Sequence, residues 1–164
     1  MFGNSGSGKS TLAIYLSAKH NLNHLDLDSL AWQNLTPPTR KSLHESAALI
    51  DLFLQQSNNW VVEGCYSDLL ELVTIHANEM IFLNPGVEAC VQNCKSRPWE
   101  PHKYKSLKAQ NENLNMLLSW VEKYAQRNDE FSLNSHLKLF KNFTGKKTEF
   151  RSNDEINSIY SINN

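Results

Sequence analysis

The chain has 164 residues, of which 40% are hydrophobic and 20% are charged, the balance of a single globular domain. Its formal net charge of −1 argues against strong non-specific binding of the whole chain to nucleic acid. No apolar run approaches the roughly 18 residues of a membrane span. Because no secretory signal is visible either, we expect a cytoplasmic protein with no membrane partner.

Segments with helix and strand periodicity alternate along the chain. The first half predicts a helix over residues 10–20, a strand over 24–28, a helix over 42–56, a strand over 60–63 and a helix over 67–76. The second half predicts a strand over 79–83, helices over 87–95, 105–127 and 131–143, a strand over 147–150, and a terminal helix after a capping box at 152–155. This alternation predicts one α/β domain over residues 1–164, with a mainly parallel sheet and helices on both faces.

Polar residues follow several of the predicted strands. In open parallel sheets, ligands bind beyond the carboxyl ends of the strands. We therefore expect residues 3–10, Asp28, the Glu63-Gly64 pair and Asn84 to converge on one crevice.

The most specific pattern is a glycine-rich loop directly before the first helix. It fits G-x-x-x-x-G-K-[ST] at every fixed position. Its glycines allow successive backbone N–H groups to turn inward around phosphate, at the positive end of the following helix. The lysine would reach the β- and γ-phosphates of a nucleoside triphosphate, and the serine after it would bind Mg²⁺. The predicted binding residues for ATP are Gly3, Asn4, Ser5, Gly6, Ser7, Gly8, Lys9, Ser10 and Thr11.

The strand that carries this loop is truncated at the N terminus, because Met1 and Phe2 alone precede Gly3. Such a strand normally has about five residues. A shortened central strand would leave backbone groups unpaired and apolar surface uncovered. If residue 1 is the real start, we expect marginal stability and a poorly anchored loop.

Asp28 and Glu63 are candidates for catalysis, as is Lys9, and both acids are also candidates, with Asp26 and Ser10, for binding Mg²⁺. Asp26 and Asp28 are predicted on one face of their strand because side chains alternate with a period of two. Glu63 ends the next strand. Such acids orient Mg²⁺ or accept a proton from an attacking hydroxyl. Helix capping and solvated strand ends are the alternative interpretations for these positions.

Three arginines are candidates for contacting phosphate, because a guanidinium group is shaped to clamp phosphate oxygens. Arg97 and Arg127 are assigned to catalysis, and Arg97 and Arg151 to binding the nucleotide, although each also fits an ordinary surface position. Arg97 opens a locally basic segment that extends to Lys108. Four further side chains are candidates for lining an acceptor pocket, with core packing or surface cover as the alternative: Trp32, Tyr66, Trp99 and His102.

Taken together, these motifs resemble the small P-loop kinases of the adenylate kinase and shikimate kinase type. More narrowly, the chain is similar to bacterial adenylate-kinase-like ATPases often labelled DNA topology modulation protein. The resemblance covers most of the chain and is carried by GNSGSGKST at 3–11, HLDLDSLAW at 24–32, WVVEGCYSD at 60–68 and IFLNPGVEACVQNCKSRPW at 81–99.

The resemblance implies a three-layer P-loop NTPase fold with a helical lid over about residues 97–127. It implies that Arg97 contacts ATP phosphates from this lid, and that Asp26, Asp28 and Glu63 match the acids of the family. The sequence after Pro98 differs from the lids of adenylate kinase and shikimate kinase. The resemblance therefore does not imply the phosphoryl acceptor of either enzyme.

The leading hypothesis is an ATP-dependent kinase that moves the γ-phosphoryl of Mg-ATP to a small hydroxyl or phosphate acceptor. One alternative is an ATP-dependent switch or ATPase that acts on a macromolecule such as DNA, with the basic segment as the contact. Another is a nucleotide binder without kinase activity. A GTPase is disfavoured because no N-K-x-D segment is present.

Overall fold

The computed structural model describes residues 1–33, 38–101 and 103–160. Five strands form in these residues: β1 (Phe2–Gly3), β2 (Asn23–Asp26), β3 (Trp60–Glu63), β4 (Glu79–Leu83) and β5 (Lys146–Phe150). The helices in the described residues are α1 (Lys9–His20), α2 (Asp28–Ala31), α3 (Leu43–Gln56), α4 (Ser67–Thr74), α5 (Val87–Lys95), α6 (Leu107–Glu122), α7 (Leu133–Asn142) and α8 (Asn153–Tyr160).

The strands form one parallel array with β1 at its centre. β2 pairs with β3, and β1 pairs with β4, which pairs with β5. A parallel bridge from Phe2 to Gly64 joins the two groups, and the Met1 amino group donates a hydrogen bond to the Val62 carbonyl at 2.8 Å. The strand order is therefore β2-β3-β1-β4-β5. The crossover direction reverses at β1, and ligands bind at such points in open α/β sheets.

Helices pack on both faces of this array, as the sequence predicts. On one face, Phe2, Val62 and Phe82 pack against side chains of α3, α4 and α7. On the other face, Ile81, Leu83 and Phe150 pack against side chains of α1 and α8. Cys90 and Cys94 of α5 meet Val121 of α6 in a separate cluster. The arrangement is an α/β fold, compatible with three layers.

Most predicted elements are confirmed, and β3, β4 and α5 have the predicted bounds. The predicted strand over residues 24–28 is confirmed as β2, but its predicted end is wrong, because β2 ends at Asp26 and Asp28 begins the short helix α2. The Asp26 carboxylate accepts a hydrogen bond from the Asp28 backbone N–H at 2.9 Å, which turns the chain at that point. The long predicted helix over 105–127 is shorter, with α6 ending at Glu122.

β1 has two residues, whereas its neighbours β3 and β4 have four and five. A groove of about 250 Å³ is lined by residues of β3 and β4, among them Trp60, Val61, Val62, Glu79, Met80 and Ile81, and by Met1 and Phe2. Among the described helices, none is long and apolar enough to cross a membrane.

Candidate functional site

The glycine-rich loop, residues 3–11, leads from the end of β1 into α1 at the centre of the sheet. Gly6 and Gly8 have φ angles of 80° and 89°, a left-handed conformation that glycine adopts without steric cost. A Cβ atom on Gly6 would collide with the Cys90 carbonyl oxygen of α5. The loop thus depends on glycine both for its turns and for its close approach to α5.

Side chains from distant elements hold the loop in place. The Asn4 side-chain amide is buried and donates to the Val121 carbonyl at 3.1 Å. From α5, the Asn93 amide donates to the Gly6 carbonyl at 2.8 Å. The Ser7 hydroxyl is buried, and no described residue serves as its hydrogen-bond partner. A buried hydroxyl of this kind is available to a bound ligand.

The N terminus of α1 is open. Gly8 occupies the N-cap position without a side-chain hydrogen bond, and no acidic residue lies in the first turn. A Cβ atom built on Gly8 would meet no heavy atom within 4 Å. The first backbone N–H groups of a helix have no partner inside the helix, so this end is suited to bind an anion. Ser10 is half-buried in this turn, and Thr11 is exposed.

Lys9 and Glu63 form the electrostatic centre of the site. Burial would lower the pKa of Lys9, but the carboxylates of Glu63 and Asp28 outweigh this effect and raise it. Burial alone would raise the pKa of Glu63, but His24, the Lys9 ammonium and Ser10 outweigh burial and lower it.

The Glu63 side chain is fully buried, yet neither of its oxygens has a hydrogen-bond partner in the described part of the chain. His24 Nε2 lies 3.8 Å from Glu63 Oε1, beyond hydrogen-bond distance. Buried carboxylates normally have hydrogen-bond partners. A further polar group would therefore be stabilised next to the Glu63 oxygens.

Asp26 and Asp28 lie together beside Glu63, although Asp28 is on a helix rather than on the predicted strand. Asp26 is paired in register with Glu63 across β2 and β3. Lys103 Nζ lies 2.7 Å from Asp28 Oδ2 and 3.4 Å from Asp26 Oδ2. The Tyr66 hydroxyl donates to Asp28 Oδ1 at 2.7 Å. Two oxygens of Asp28 are thus engaged by different partners.

The two aspartates have opposite pKa shifts. Burial raises the pKa of Asp26, and the nearby Glu63 and Asp28 raise it further. Burial would also raise the pKa of Asp28, but Lys103, Lys9 and the Tyr66 hydrogen bond outweigh it and lower the pKa. A pair of carboxyl groups with diverging pKa values is a pattern typical of acid–base sites.

The predicted Mg²⁺ ligands are Ser10, Asp26, Asp28 and Glu63. Within residues 1–33, 38–101 and 103–160, no three His, Cys, Asp or Glu side chains are grouped closely enough to hold a metal ion by themselves. Mg²⁺ usually takes one or two protein ligands, with water and substrate phosphates completing its shell. The assignment of these residues to a metal stays a prediction.

Arg97 reaches the glycine-rich loop from the end of α5. Its guanidinium donates to Glu100 at 3.0 Å and makes a longer contact of 3.4 Å to the Ser5 hydroxyl. Burial would lower the pKa of Arg97, but the Glu100 carboxylate outweighs burial and raises it. The structure therefore places Arg97 next to the loop, as its predicted contact with phosphate requires.

The other two arginines have different surroundings. Arg127 stacks on Trp120, with the guanidinium carbon 3.7 Å from the ring centre, and donates to the Phe131 carbonyl at 2.6 Å. Its Nε and Nη1 atoms are buried, and the described residues give them no hydrogen-bond partner. Arg151 is 74% exposed and pairs with Glu149 beyond the end of β5. These contacts do not test the predicted roles of Arg127 in catalysis and of Arg151 in nucleotide binding.

The predicted acceptor pocket is assembled in part. The Trp32 indole N–H donates to the Tyr66 hydroxyl at 2.7 Å, which forms a chain from Trp32 through Tyr66 to Asp28. Trp99 is 46% exposed and donates instead to the Tyr104 carbonyl. His102 lies outside the described residues.

Sequence reasoning missed Lys103 as a partner of the acids, and it missed Arg40. Arg40 pairs with Asp68 and Glu130, and its guanidinium lies over the rings of Tyr66 and Phe131. These contacts join residues far apart in the chain, and no local spacing indicates them. The single available signal was the basic composition of the segment around Lys103.

Neither protein-family models nor curated proteins gave a match to this sequence. The functional assignment therefore depends on the residues and their geometry.

Proposed function

We propose that the protein binds Mg-ATP at the glycine-rich loop and transfers the γ-phosphoryl group to a small hydroxyl or phosphate acceptor. The observation that carries the proposal is the junction of β1 and α1. There, a loop with two left-handed glycines ends at an uncapped helix N terminus that begins with Lys9. Such a junction satisfies phosphate oxygens with backbone N–H groups, and Lys9 supplies the positive charge that a polyphosphate needs.

The position of the loop in the sheet supports the same proposal. β1 lies at the point where the strand order reverses, and the ends of β2 and β3 bring Asp26 and Glu63 to the same edge. Arg97 contacts the loop at the Ser5 hydroxyl. Positive groups thus flank the place for the phosphates, and acids flank the place for the acceptor.

The proposed reaction uses this separation of positive groups near the phosphates from acids near the acceptor. The acceptor oxygen attacks the γ-phosphorus, the bond from that phosphorus to the β–γ bridging oxygen breaks, and ADP leaves. The proton of an acceptor hydroxyl passes to a carboxylate of the Asp26–Asp28 pair. Lys9 and Arg97 stabilise the negative charge on the transferring phosphoryl group, the main contribution that proteins make to this reaction.

The residues present fit Mg²⁺ as the accompanying ion. The Glu63 carboxylate, whose oxygens have no hydrogen-bond partner among the described residues, lies close to Lys9 and Ser10, and hard oxygen donors are what Mg²⁺ prefers. The Ser10 hydroxyl would hold the ion, with Glu63, Asp26 and Asp28 acting through water. When bound, the ion would neutralise charge on the β- and γ-phosphates.

The direct test is transfer of labelled γ-phosphate across a panel of small alcohols, sugars, nucleosides and phosphate monoesters. We expect one acceptor class to be labelled, and we expect Asp28→Asn to slow its transfer about 10²- to 10⁴-fold with little change in ATP affinity. Asp51→Asn, at an exposed position on α3, is the matched control. ATP binding without transfer to any acceptor would contradict a kinase and favour the nucleotide-dependent switch.

A further inference from the structure

The Tyr66 side chain lies between β3 and α4, beside the acidic pair, and is held there from several sides. The residue is only 2% exposed. Its ring packs edge-on against Phe131, with the ring centres 5.1 Å apart. The Arg40 guanidinium carbon lies 5.3 Å from the centre of the same ring. Because these contacts fix the ring, they also fix the position of the hydroxyl oxygen.

The two hydrogen bonds of this hydroxyl have one possible direction. The Trp32 indole N–H is a donor and never an acceptor, so the Tyr66 oxygen accepts from it at 2.7 Å. The single proton of the Tyr66 hydroxyl then points to Asp28, whose carboxylate Oδ1 accepts it at 2.7 Å. The chain of hydrogen bonds therefore runs from Trp32 through Tyr66 to Asp28.

The two carboxylate oxygens of Asp28 consequently differ. Oδ1 is held by Tyr66, whereas Oδ2 lies 2.7 Å from Lys103 Nζ on a side chain that is 39% exposed. A carboxylate oxygen has two lone pairs, so Oδ2 can accept a second hydrogen bond beside the one from Lys103. The backbone of Asp28 is held as well, because its N–H donates to Asp26 Oδ1 at 2.9 Å. The orientation of the Asp28 carboxylate is thus set by its neighbours in the protein.

We propose that Tyr66 is a positioning residue that orients the Asp28 carboxylate, so that Oδ2 accepts a hydrogen bond from the acceptor hydroxyl. The attacking oxygen must be aligned with the γ-phosphorus, and a hydroxyl bound to a fixed oxygen atom has fewer orientations to lose. The orientation of Asp28 by Tyr66 depends on the geometry alone. Its use in phosphoryl transfer rests on the proposed function.

The first test is the transfer assay with Tyr66→Phe, which keeps the ring and removes the hydroxyl. For the acceptor that wild type labels, we expect kcat to fall about 10- to 100-fold, the equilibrium value of a hydrogen bond to a charged group, with little change in the KM for ATP. Tyr124→Phe, which removes another buried hydroxyl, is the matched control and should keep kcat. Equal kcat in wild type and Tyr66→Phe would overturn the role in transfer.

A double-mutant comparison shows whether Tyr66 acts through Asp28. In an Asp28→Asn background, Tyr66→Phe should lower kcat little further, because the oriented carboxylate is already gone. The same additional loss in both backgrounds would show that Tyr66 acts on something else and would overturn the proposal.

The orientation itself can be measured without activity, from the indole N–H resonance of Trp32 in ¹⁵N-labelled protein, assigned with Trp32→Phe. Asp28→Asn should shift this resonance through Tyr66, and it should shift it much less when Tyr66→Phe is already present. A Trp32 resonance that does not respond to Asp28→Asn would overturn the orientation of Asp28 by Tyr66. If wild type transfers phosphate to no acceptor while the resonance responds as expected, the proposed function fails and the orientation stands.

Discussion

Replacing Gly6 and Gly8 by alanine separates two roles of glycine in the loop. Both residues have left-handed φ angles, 80° and 89°, so an alanine at either position carries backbone strain of about 1–2 kcal/mol. The surroundings differ. A Cβ on Gly6 would collide with the Cys90 carbonyl and lie 2.8 Å from Cys94 Sγ, whereas a Cβ on Gly8 would meet nothing within 4 Å.

The additional collision decides the expected difference. Cys90 belongs to the backbone of α5, so the loop or the helix must shift, and overpacking of this kind costs about 1–3 kcal/mol. We expect Gly6→Ala to lower the free energy of unfolding by about 2–5 kcal/mol and Gly8→Ala by about 1–2 kcal/mol. Urea unfolding followed by circular dichroism and tryptophan fluorescence measures both. Equal losses for the two variants would refute the close approach of the loop to α5.

Two further predictions concern the buried His136. Its Nε2–H donates to the Cys65 carbonyl at 2.9 Å, so Nδ1 must accept from the Tyr124 hydroxyl at 2.6 Å. Because Tyr124→Phe removes this donor, we expect it to lower the free energy of unfolding in urea by about 1–3 kcal/mol. An unchanged unfolding midpoint would contradict this assignment. Burial lowers the pKa of His136 from 6.5 to about 4, so between these values the unfolded state takes up the proton and the folded state does not. The free energy of unfolding should therefore fall by about 3 kcal/mol as the pH drops from 6.5 to 4, and it should fall less in His136→Gln. The same pH dependence of the free energy of unfolding in both proteins would contradict this prediction.

Local patterns predicted the elements well and their tertiary partners poorly. Trp60–Glu63 and Glu79–Leu83 were identified because short apolar runs bounded by turns have few alternatives in an α/β chain. Asp28 was misplaced because the apolar–acidic alternation continues past the point where the Asp26 side chain turns the backbone. A period of two does not reveal such a local hydrogen bond.

In the candidate site, too, local features could be predicted and contacts between distant residues could not. The loop before α1 could be recognised because its glycines and its lysine are neighbours in the sequence, while its role in binding phosphate stays a prediction. The contact of Lys103 with Asp28 joins positions 75 residues apart, and the stacking of Arg127 on Trp120 depends on how the turn after α6 folds back. Neither follows from spacing along one chain.

Mg-ATP binding to the glycine-rich loop is the central claim, and isothermal titration with a parallel thermal-shift measurement tests it most directly. At a nucleotide concentration a hundred times the dissociation constant, we expect stabilisation by about 2.7 kcal/mol, or about 5–10 °C for a domain of this size. Lys9→Ala should abolish most of the heat and the shift, and Lys19→Ala, an exposed lysine at the far end of the same helix, should retain both. No heat and no shift with wild type at millimolar Mg-ATP would contradict the claim.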